Sequence, residues 1–312
     1  MTRTILQGPA AVRYAGYTYY TEGDVTLTPR AALRTIESSL HGPVSHRQTD
    51  RAVEVAFTPV GMLDSKDAYF PHGPSRLGAL LAPATDEPVY VHTAAGVRLT
   101  LKAGVVTRMP DLRLGTDRGP LGEMAITAMG GLGKAAGEDE SVWASESASL
   151  PADSLDASKI LTPGYLLKLK SGGATVHTLD AMEGLEVSLG ARVEPVTVNA
   201  YGTVNYRLAA LDPTVSLVPC GLDEAAALGL LRLQDAGALG SEASLGLSLS
   251  VEPVDGDGIT LTFPDCALSE LPQAFGNSSP RMGRAVFRPA AAPGSALYTL
   301  TFPTFTAAAE ES

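Results

Sequence analysis

Apolar and polar residues alternate with a period of two along most of the chain. The pattern is clear at residues 53–57 and 97–101, and it returns at 245–249 and 259–263. Such alternation is typical of antiparallel strands that bury one face only. Gly-Pro and Asp-Gly pairs separate these segments, as turns separate strands. The pattern therefore predicts a mainly β fold.

Helical periodicity is confined to short stretches. We predict one helix over residues 222–239, where Asp223 can serve as N-cap. Leu228 and Leu231 are expected to share its apolar face. The corresponding region of the first part of the chain, 62–81, contains two prolines, so it is expected to form only a short turn or helix.

The chain resembles itself when it is shifted so that residue 24 aligns with residue 184, a shift that we call the repeat offset. Residues 24–63 align without gaps with 184–223, and residues 90–101 align with 250–261. These segments contain 7 + 4 = 11 identities in 40 + 12 = 52 positions, where this composition gives about three or four by chance. The identical pairs are Ala31/Ala191, Gly42/Gly202, Val44/Val204, Arg47/Arg207, Val55/Val215, Pro59/Pro219, Gly61/Gly221, Val91/Val251, Gly96/Gly256, Thr100/Thr260 and Leu101/Leu261.

Several of the matches are glycines and prolines, which fix turns and strand ends. Farther along, the alignment drifts by one or two positions, with Pro110 over Pro272 and Pro120 over Pro280. So long a period is typical of a duplicated domain, because solenoid repeats span about 20–50 residues.

The repeat predicts a domain organisation of two similar units. The units comprise residues 1–135 and 161–306, joined by an acidic linker rich in Gly, Ser and Ala at 136–160, and residues 307–312 form a polar tail. Trp143, the single tryptophan, lies in the linker and indicates that the linker docks against the folded protein.

Composition and charge exclude several classes of function. The 312 residues are 45% hydrophobic and carry a net charge of -11, which opposes binding to nucleic acid or an anionic membrane through general charge attraction. Two cysteines cannot form a disulfide framework, and no apolar run reaches the roughly 18 residues of a membrane span. We expect a protein made in the cytoplasm that has no contact with a membrane.

No catalytic, metal or cofactor site is predicted. The five histidines lack metal-ligand spacing to Cys, Asp or Glu, and we interpret them as surface and loop residues. Residues 130–134, Gly-Gly-Leu-Gly-Lys, lack the glycine spacing and the Ser or Thr of a phosphate-binding loop. No Gly-x-Ser-x-Gly nucleophile motif is present. We therefore expect a protein that is not an enzyme.

The beginning of the chain resembles the major tail proteins that form the tail tube of bacteriophages. The resemblance lies in the Gly-Pro-Ala segment at 8–10, the His41-Gly42 turn and a strand that ends Phe-Thr-Pro-Val-Gly at 57–61. It covers approximately positions 1–130, and extends to the second unit mainly through the repeat, which retains Tyr201-Gly202.

This resemblance implies two tandem tail-tube-like β-sandwich or barrel domains, each with a short helix, whose strands contribute to a ring-spanning β-barrel. Three two-domain chains would form a pseudo-six-fold ring, and stacked rings would form a tube that conducts DNA without binding it specifically. The implied partners are other copies of this chain and possible tape-measure, tail-terminator and distal tail proteins. The implied location is the virion tail, assembled in the host cytoplasm.

Two sets of residues are candidates for roles in such a tube. An acidic lumen wall would repel DNA, and the candidate lumen-facing residues are Asp24, Glu37, Glu54, Glu186, Glu194 and Glu252. The tyrosine cluster near the N-terminus and the lone tryptophan suit a subunit or domain contact. These candidate contact residues are Tyr17, Tyr19, Tyr20 and Trp143.

Two alternatives remain open from the sequence. A distal tail or hub-ring adaptor of the virion would use a related fold but form a single ring. A β-sandwich glycan-binding module would need an aromatic platform, for which the position of Trp143 in the linker offers little support.

Overall fold

The protein is mainly β, and its strands form two large antiparallel sheets. The computed structural model describes residues 11–60, 66–82, 87–115, 119–129, 143–149, 164–198, 202–220, 224–234, 244–254, 258–275 and 280–303. Within these ranges neither large sheet closes on itself to form a barrel. Below, the first half denotes residues 11–149 and the second half denotes residues 164–303.

In the described part of the first half there are nine strands, one short helix and one 3-10 turn. In chain order these are β1 (Ala11–Tyr14), β2 (Tyr17–Ser38), β3 (Gly42–Pro59), α1 (Lys66–Tyr69), the 3-10 turn (Pro74–Arg76), β4 (Val89–His92), β5 (Val97–Leu101), β6 (Gly104–Arg108), β7 (Leu112–Leu114), β8 (Met124–Met129) and β9 (Trp143–Ser147).

The described ranges of the second half contain twelve strands and one longer helix. In chain order these are β10 (Tyr165–Ser171), β11 (Ala174–Ser188), β12 (Ala191–Val198), β13 (Gly202–Leu211), β14 (Thr214–Cys220), α2 (Glu224–Gln234), β15 (Ser248–Pro253), β16 (Thr260–Phe263), β17 (Asp265–Glu270), β18 (Gln273–Phe275), β19 (Pro280–Met282), β20 (Ala285–Ala290) and β21 (Thr299–Thr301).

The two large sheets have the same arrangement of strands. The first sheet has the order β6-β8-β3-β2-β1-β4-β5-β9, and the second has β17-β20-β14-β11-β10-β15-β16-β21. Each strand of the first sheet has a counterpart at the same place in the second, and the counterparts follow one another along the chain in the same sequence. The second sheet has one additional strand, because β7 of the first half pairs with β11.

The long hairpin of each half has the same register. In the first half β2 and β3 run without interruption, and Thr28 lies opposite Glu54. In the second half the hairpin is divided into β11–β14 and a distal hairpin, β12–β13, beyond Gly190, whose φ is 57°. There Ser188 lies opposite Thr214, which is the equivalent pair at the repeat offset.

The bulges in the two hairpins also correspond. The distal part of each hairpin contains two register shifts, and these lie at equivalent positions, namely Ala32/Leu33 with Arg192/Val193 and Ile36/Glu37 with Val196/Thr197. The alignment of the two halves shifts by two positions at β5. Val91 of β4 pairs with Leu99 of β5, whereas the equivalent Val251 of β15 pairs with Leu261 of β16. Leu99 therefore corresponds to Leu261, so the ungapped sequence alignment was wrong at that strand.

The core passes without a break from one half to the other. The alternating residues Val53, Val55 and Phe57 are buried on one face of β3, as the sequence pattern predicted. They belong to the same cluster as Phe263 and Phe287 of the second half. Each such side chain contributes about 1.5–3 kcal/mol when it is fully removed from water.

The predicted helix is confirmed, and its buried face agrees with the prediction at Leu231, which packs against the main core, but not at Leu228. Helix α2 spans Glu224–Gln234, and Ala227 and Leu230 are buried. Leu228, which we expected on the apolar face, is 39% exposed. The helix contacts β17, so the position of that strand decides which face is covered. In the first half α1 and the 3-10 turn are short, as predicted.

Part of the predicted linker is a strand. β9 pairs antiparallel with β5, with Trp143 opposite Leu101, and so forms one edge of the first sheet. Arg98 and Glu146 form an ion pair across the two strands at 2.5 Å. An unpaired strand edge binds another strand through its free N–H and C=O groups, which explains why this polar segment is ordered. The rest of 136–160 and the tail at 307–312 lie outside the described residues, apart from 148 and 149.

Candidate self-association surface

The distal hairpin of the second half lies across the first half and bonds to it through the main chain. The Gly78 N–H donates to the Leu208 carbonyl at 2.8 Å, and the Leu81 N–H donates to the Tyr206 carbonyl at 2.8 Å. The Leu208 N–H donates to the Ala79 carbonyl at 3.3 Å. Strand β13 thus gains backbone partners in the segment that follows the 3-10 turn.

The same hairpin covers the face of the first sheet that points away from the main core. A second apolar cluster forms there, in which Leu208 is buried together with Leu81, Ala103, Val105 and Met129. Both Leu208 and Val105 have no exposed surface. Because β6 and β8 are covered on both faces, nearly every residue of these two strands is buried.

The tip of the distal hairpin is fixed by one carboxylate of the first half. Asp50 accepts hydrogen bonds from the Thr203 N–H at 3.0 Å and from the Thr203 hydroxyl at 2.5 Å. The neighbouring Gly202 has a φ of 71°, and a Cβ there would lie 2.7 Å from the Thr49 carbonyl oxygen. Both the conformation and the close approach require glycine.

A second contact between the halves is the addition of one strand. β7 of the first half pairs antiparallel with β11 of the second half, and Arg113 lies opposite Glu186. The flanking Leu112 and Leu114 are fully buried in the main core. The first half therefore supplies a strand that extends the sheet of the second half.

These two contacts join different surfaces of the two halves, so the contact is heterologous. The first half provides β7 and a sheet face, and the second half provides β11 and a distal hairpin. Each half also contains the counterpart of the surface that the other half uses. Among the described residues, the hairpin of the first half covers no sheet face, and the equivalent sheet face of the second half is covered by no hairpin. We call these two surfaces unused.

The unused hairpin exposes a series of apolar side chains. The first hairpin, as we call residues 31–48 of β2, β3 and the turn between them, has Leu33 62%, Ile36 37%, Leu40 82% and Val44 60% exposed. At the position corresponding to Leu33, the second half has Val193, which packs against the second cluster. Apolar side chains gathered on one surface element are typical of an interaction site.

The second half also has a counterpart of β7. The Gly122 N–H donates to the Asp111 carbonyl at 2.8 Å beside β7, and the Gly283 N–H donates to the Pro272 carbonyl at 2.7 Å beside β18. In the first half Leu112 of β7 forms an isolated antiparallel β-bridge with Leu121. In the second half the equivalent pair is Gln273 of β18 and Met282 of β19. Strand β18 is thus placed in the second half as β7 is placed in the first.

Most of the carboxylates predicted to line a lumen are neutralised by neighbouring bases. The ion pairs are Glu54–Arg30 at 2.9 Å, Glu186–Arg284, Glu194–Arg207 at 3.0 Å and Glu252–Lys168 at 2.6 Å. Asp24 and Glu37 are exposed on β2. Four of the six candidate carboxylates are therefore paired with a base, and their position along a lumen stays a prediction.

Glu252 has the strongest electrostatic environment of the six. It lies on β15 between Lys168 and Lys170 of β10, and Ser250 donates a hydrogen bond to it at 2.7 Å. Burial by itself would raise the pKa of Glu252, but the hydrogen bonds from the two lysines and the serine outweigh burial and lower the pKa to about 2. This carboxylate bridges two charged residues of the adjacent strand.

We expect Glu252→Gln to destabilise the fold by about 1–2 kcal/mol at pH 7, because two lysines lose their charged partner. A depressed pKa stabilises the fold above the unfolded-state value and loses that contribution as the pH falls through the folded-state value. The difference from the unmodified protein should therefore shrink between about pH 4.5 and pH 2. Urea unfolding at several pH values measures it, and the exposed Glu270→Gln is the control. A difference independent of pH would contradict this assignment.

The predicted contact residues have different environments. Tyr19 is buried within the chain, where its hydroxyl donates to the Ala68 carbonyl at 2.7 Å. Burial, together with neighbouring tyrosines, raises its pKa. It therefore serves internal packing and offers no surface to another subunit. Tyr17 and Tyr20 are half-buried, and Trp143 begins β9, where its side chain lies outside the described residues.

The interpretation of the histidines as surface residues was wrong for two of them. His72 and His92 are buried, and the Nε2 of His72 lies 2.7 Å from the Val106 carbonyl. Burial lowers the pKa of both imidazoles. In the part of the chain that the structure describes, no three His, Cys, Asp or Glu side chains are grouped so that they could hold a metal ion.

Comparison of the chain with protein-family models and with curated protein sequences finds no match. Among the described residues no helix is long and apolar enough to cross a membrane. The indications of function therefore come from the geometry of the contact between the two halves. Sequence reasoning identified neither β7 nor the distal hairpin as part of that contact, and it did not identify β18 as the counterpart of β7. The signals that could have identified them are the Pro110/Pro272 match and the apolar Leu33/Val193 pair at the repeat offset.

Proposed function

We propose that this protein is a bacteriophage tail tube protein that assembles with copies of itself into stacked rings around a DNA-conducting lumen. Its role is structural, without catalysis. The observation that carries the proposal is the heterologous contact between the two halves, whose surfaces recur unused at the two ends of the chain. The resemblance of positions 1–130 to tail tube proteins points in the same direction.

The proposal requires that the two halves are copies of one module. Three features support this duplication: the identical strand order of the two sheets, the hairpin register that recurs at the repeat offset, and the bulges at corresponding positions. Register and bulges are set by many side chains at once. Their agreement therefore supports common descent more strongly than the seven identities between 24–63 and 184–223 do.

A repeated heterologous contact produces a ring when its rotation closes. Each chain contributes two modules, so a ring of three chains has six modules and six similar contacts, three within chains and three between them. Closure pairs strand edges that would otherwise remain open to aggregation. Rings of this kind stack into a tube by a further contact along the axis, and the strands of the modules together surround the lumen.

The charge of the chain suits a channel that DNA passes through. The net charge of -11 opposes the release of counterions by which basic proteins hold DNA. Locally the carboxylates are balanced by arginines and lysines, so we expect weak repulsion along the wall without specific binding. The tube would reside in the virion tail after assembly in the host cytoplasm, where tape-measure, tail-terminator and distal tail proteins would be its further partners.

Electron microscopy of the purified full-length chain tests this function. We expect long tubes with a continuous axial channel, because the axial contact is repeated from ring to ring. Single rings that do not stack would favour the distal tail or hub-ring adaptor. A chain that remains monomeric at all concentrations up to its solubility limit would overturn the proposal.

A further inference from the structure

The chain itself contains the template for its contact with the next copy. Resting on the proposed self-assembly, we infer that β18 of one chain adds to β2 of the next chain. At the same time, the first hairpin of that next chain covers the outer face of β17, β20 and β14 of its neighbour. The partner is thus a second copy of this chain, joined head to tail through a defined strand register.

The first argument is the arrangement of the strand edges. β11 pairs with β14 on one side, and β7 occupies its other side at residues 185–187. The corresponding residues of β2, 25–27, lie beside β3, and no other strand among the described residues pairs with them. Likewise β18 pairs with β19 only, within the ranges that the structure describes. The chain therefore presents a strand and a site of matching geometry that do not meet within one copy.

The register of the intermolecular pairing follows from the register within the chain. Arg113 of β7 lies opposite Glu186 of β11. Leu112 and Gln273 are equivalent, because each forms the β-bridge of its strand. The residue that follows each of them is equivalent too, so Ala274 corresponds to Arg113. The hairpin registers of β2 and β11 make Thr26 the equivalent of Glu186. The counterpart of the internal pair is therefore Ala274 of one chain opposite Thr26 of the next.

The second argument is the uncovered sheet face. In the first half, Val105 and Met129 are buried in the second cluster beneath the distal hairpin. Their counterparts in the second half are Ala267, which is half-buried, and Ala290, which is exposed. This face therefore lacks a cover among the described residues, and the two positions equivalent to Val105 and Met129 carry only alanine side chains.

The chemistry of the two hairpins matches the faces that they would cover. The internal hairpin has Leu208 at its centre, against Met129. The first hairpin has Gln48 at that position, and the face that it would cover has Ala290 in place of Met129 with Arg288 nearby. The hairpin with an apolar central residue thus covers an apolar face within the chain, and the hairpin with a polar central residue would cover a more polar face of the next chain. We expect this difference to make the contact between chains weaker than the contact within a chain.

Disulfide trapping tests the register directly. In the full chain with Cys220→Ser, the variant Thr26→Cys with Ala274→Cys should form disulfides between chains on oxidation, because directly opposite residues have Cβ atoms about 4.5–5.5 Å apart. Non-reducing gels should show two-chain and three-chain products. The internal pair Arg113→Cys with Glu186→Cys is the positive control and should cross-link within one chain. Thr26→Cys with Gln273→Cys is the control shifted by one position, which places the second thiol on the opposite face.

Mixing single variants distinguishes a head-to-tail contact from a symmetric one. Chains with Thr26→Cys should cross-link only to chains with Ala274→Cys and not to each other. Tubes or rings that form without this cross-link, or that cross-link equally in the shifted control, would overturn the inference and leave the tail tube proposal standing. A cross-link in chains that never stack into tubes would support the inference and count against the tail tube proposal. Chains that stay monomeric and uncross-linked would overturn both.

Discussion

Leu33→Glu is expected to prevent ring and tube formation at the concentration at which the unmodified chain assembles, while the chain stays folded. Leu33 is 62% exposed in one copy, so the change should alter the free energy of unfolding by no more than about 0.5 kcal/mol. In the assembly the side chain would pack against a sheet face, as Val193 does within the chain. Loss of about 1.5–3 kcal/mol per contact would raise the concentration needed for assembly at least tenfold. Sedimentation and electron microscopy at matched concentrations measure it.

The matched control is Val254→Glu, because Val254 is 56% exposed and lies outside both proposed contact surfaces. This variant should assemble as the unmodified chain does. Tubes formed by Leu33→Glu at the ordinary concentration would exclude the first hairpin from the contact between chains. If both variants failed to assemble, the effect would reflect added charge alone, and the assignment of the hairpin would be rejected.

The two hairpin-tip glycines should respond differently to alanine in the isolated chain. Gly202 and Gly42 have φ values of 71° and 69°, so both substitutions carry a backbone cost of about 1–2 kcal/mol. At Gly202 a Cβ would lie 2.7 Å from the Thr49 carbonyl oxygen and from Asp50, whereas at Gly42 no atom lies within 4 Å. We expect Gly202→Ala to cost about 2–4 kcal/mol, since it also disturbs the hydrogen bonds between Asp50 and Thr203.

Urea unfolding of the two variants under conditions where the chain is monomeric gives this comparison. Gly42→Ala should show only the backbone cost, and the gap between the two variants reports the contact between the halves. Equal losses of stability would mean that the distal hairpin contributes nothing beyond its own turn, which contradicts its role in joining the halves.

The faces of the strands could be predicted from the sequence because their signal is local. A strand that buries one side must alternate, so the spacing of Val53, Val55 and Phe57 is sufficient to indicate the core face. The repeat was visible for a similar reason, since glycine and proline positions at turns tolerate little change. The one place where the alignment failed, β5, is explained by the same local rule, because the β4–β5 connection is two residues shorter than the β15–β16 connection.

Pairings between strands that are distant in the sequence could not be predicted from local patterns. β7 has only three residues, too few for a period of its own, and both β7 and the polar strand β9 pair with an existing strand. The ion pairs of Glu186 and Glu252 depend on which strands are neighbours and in which register. The burial of Tyr19 likewise depends on the position of α1, which provides its hydrogen-bond acceptor.

The number of chains in one ring tests the central claim most directly. Native mass spectrometry of rings released from short tubes should give a mass close to three times the 32.3 kDa of one chain, because each chain would supply two of six modules. Six chains per ring would mean that only one half of each chain takes part in the ring. That result would contradict the equivalence of the internal contact and the contact between copies.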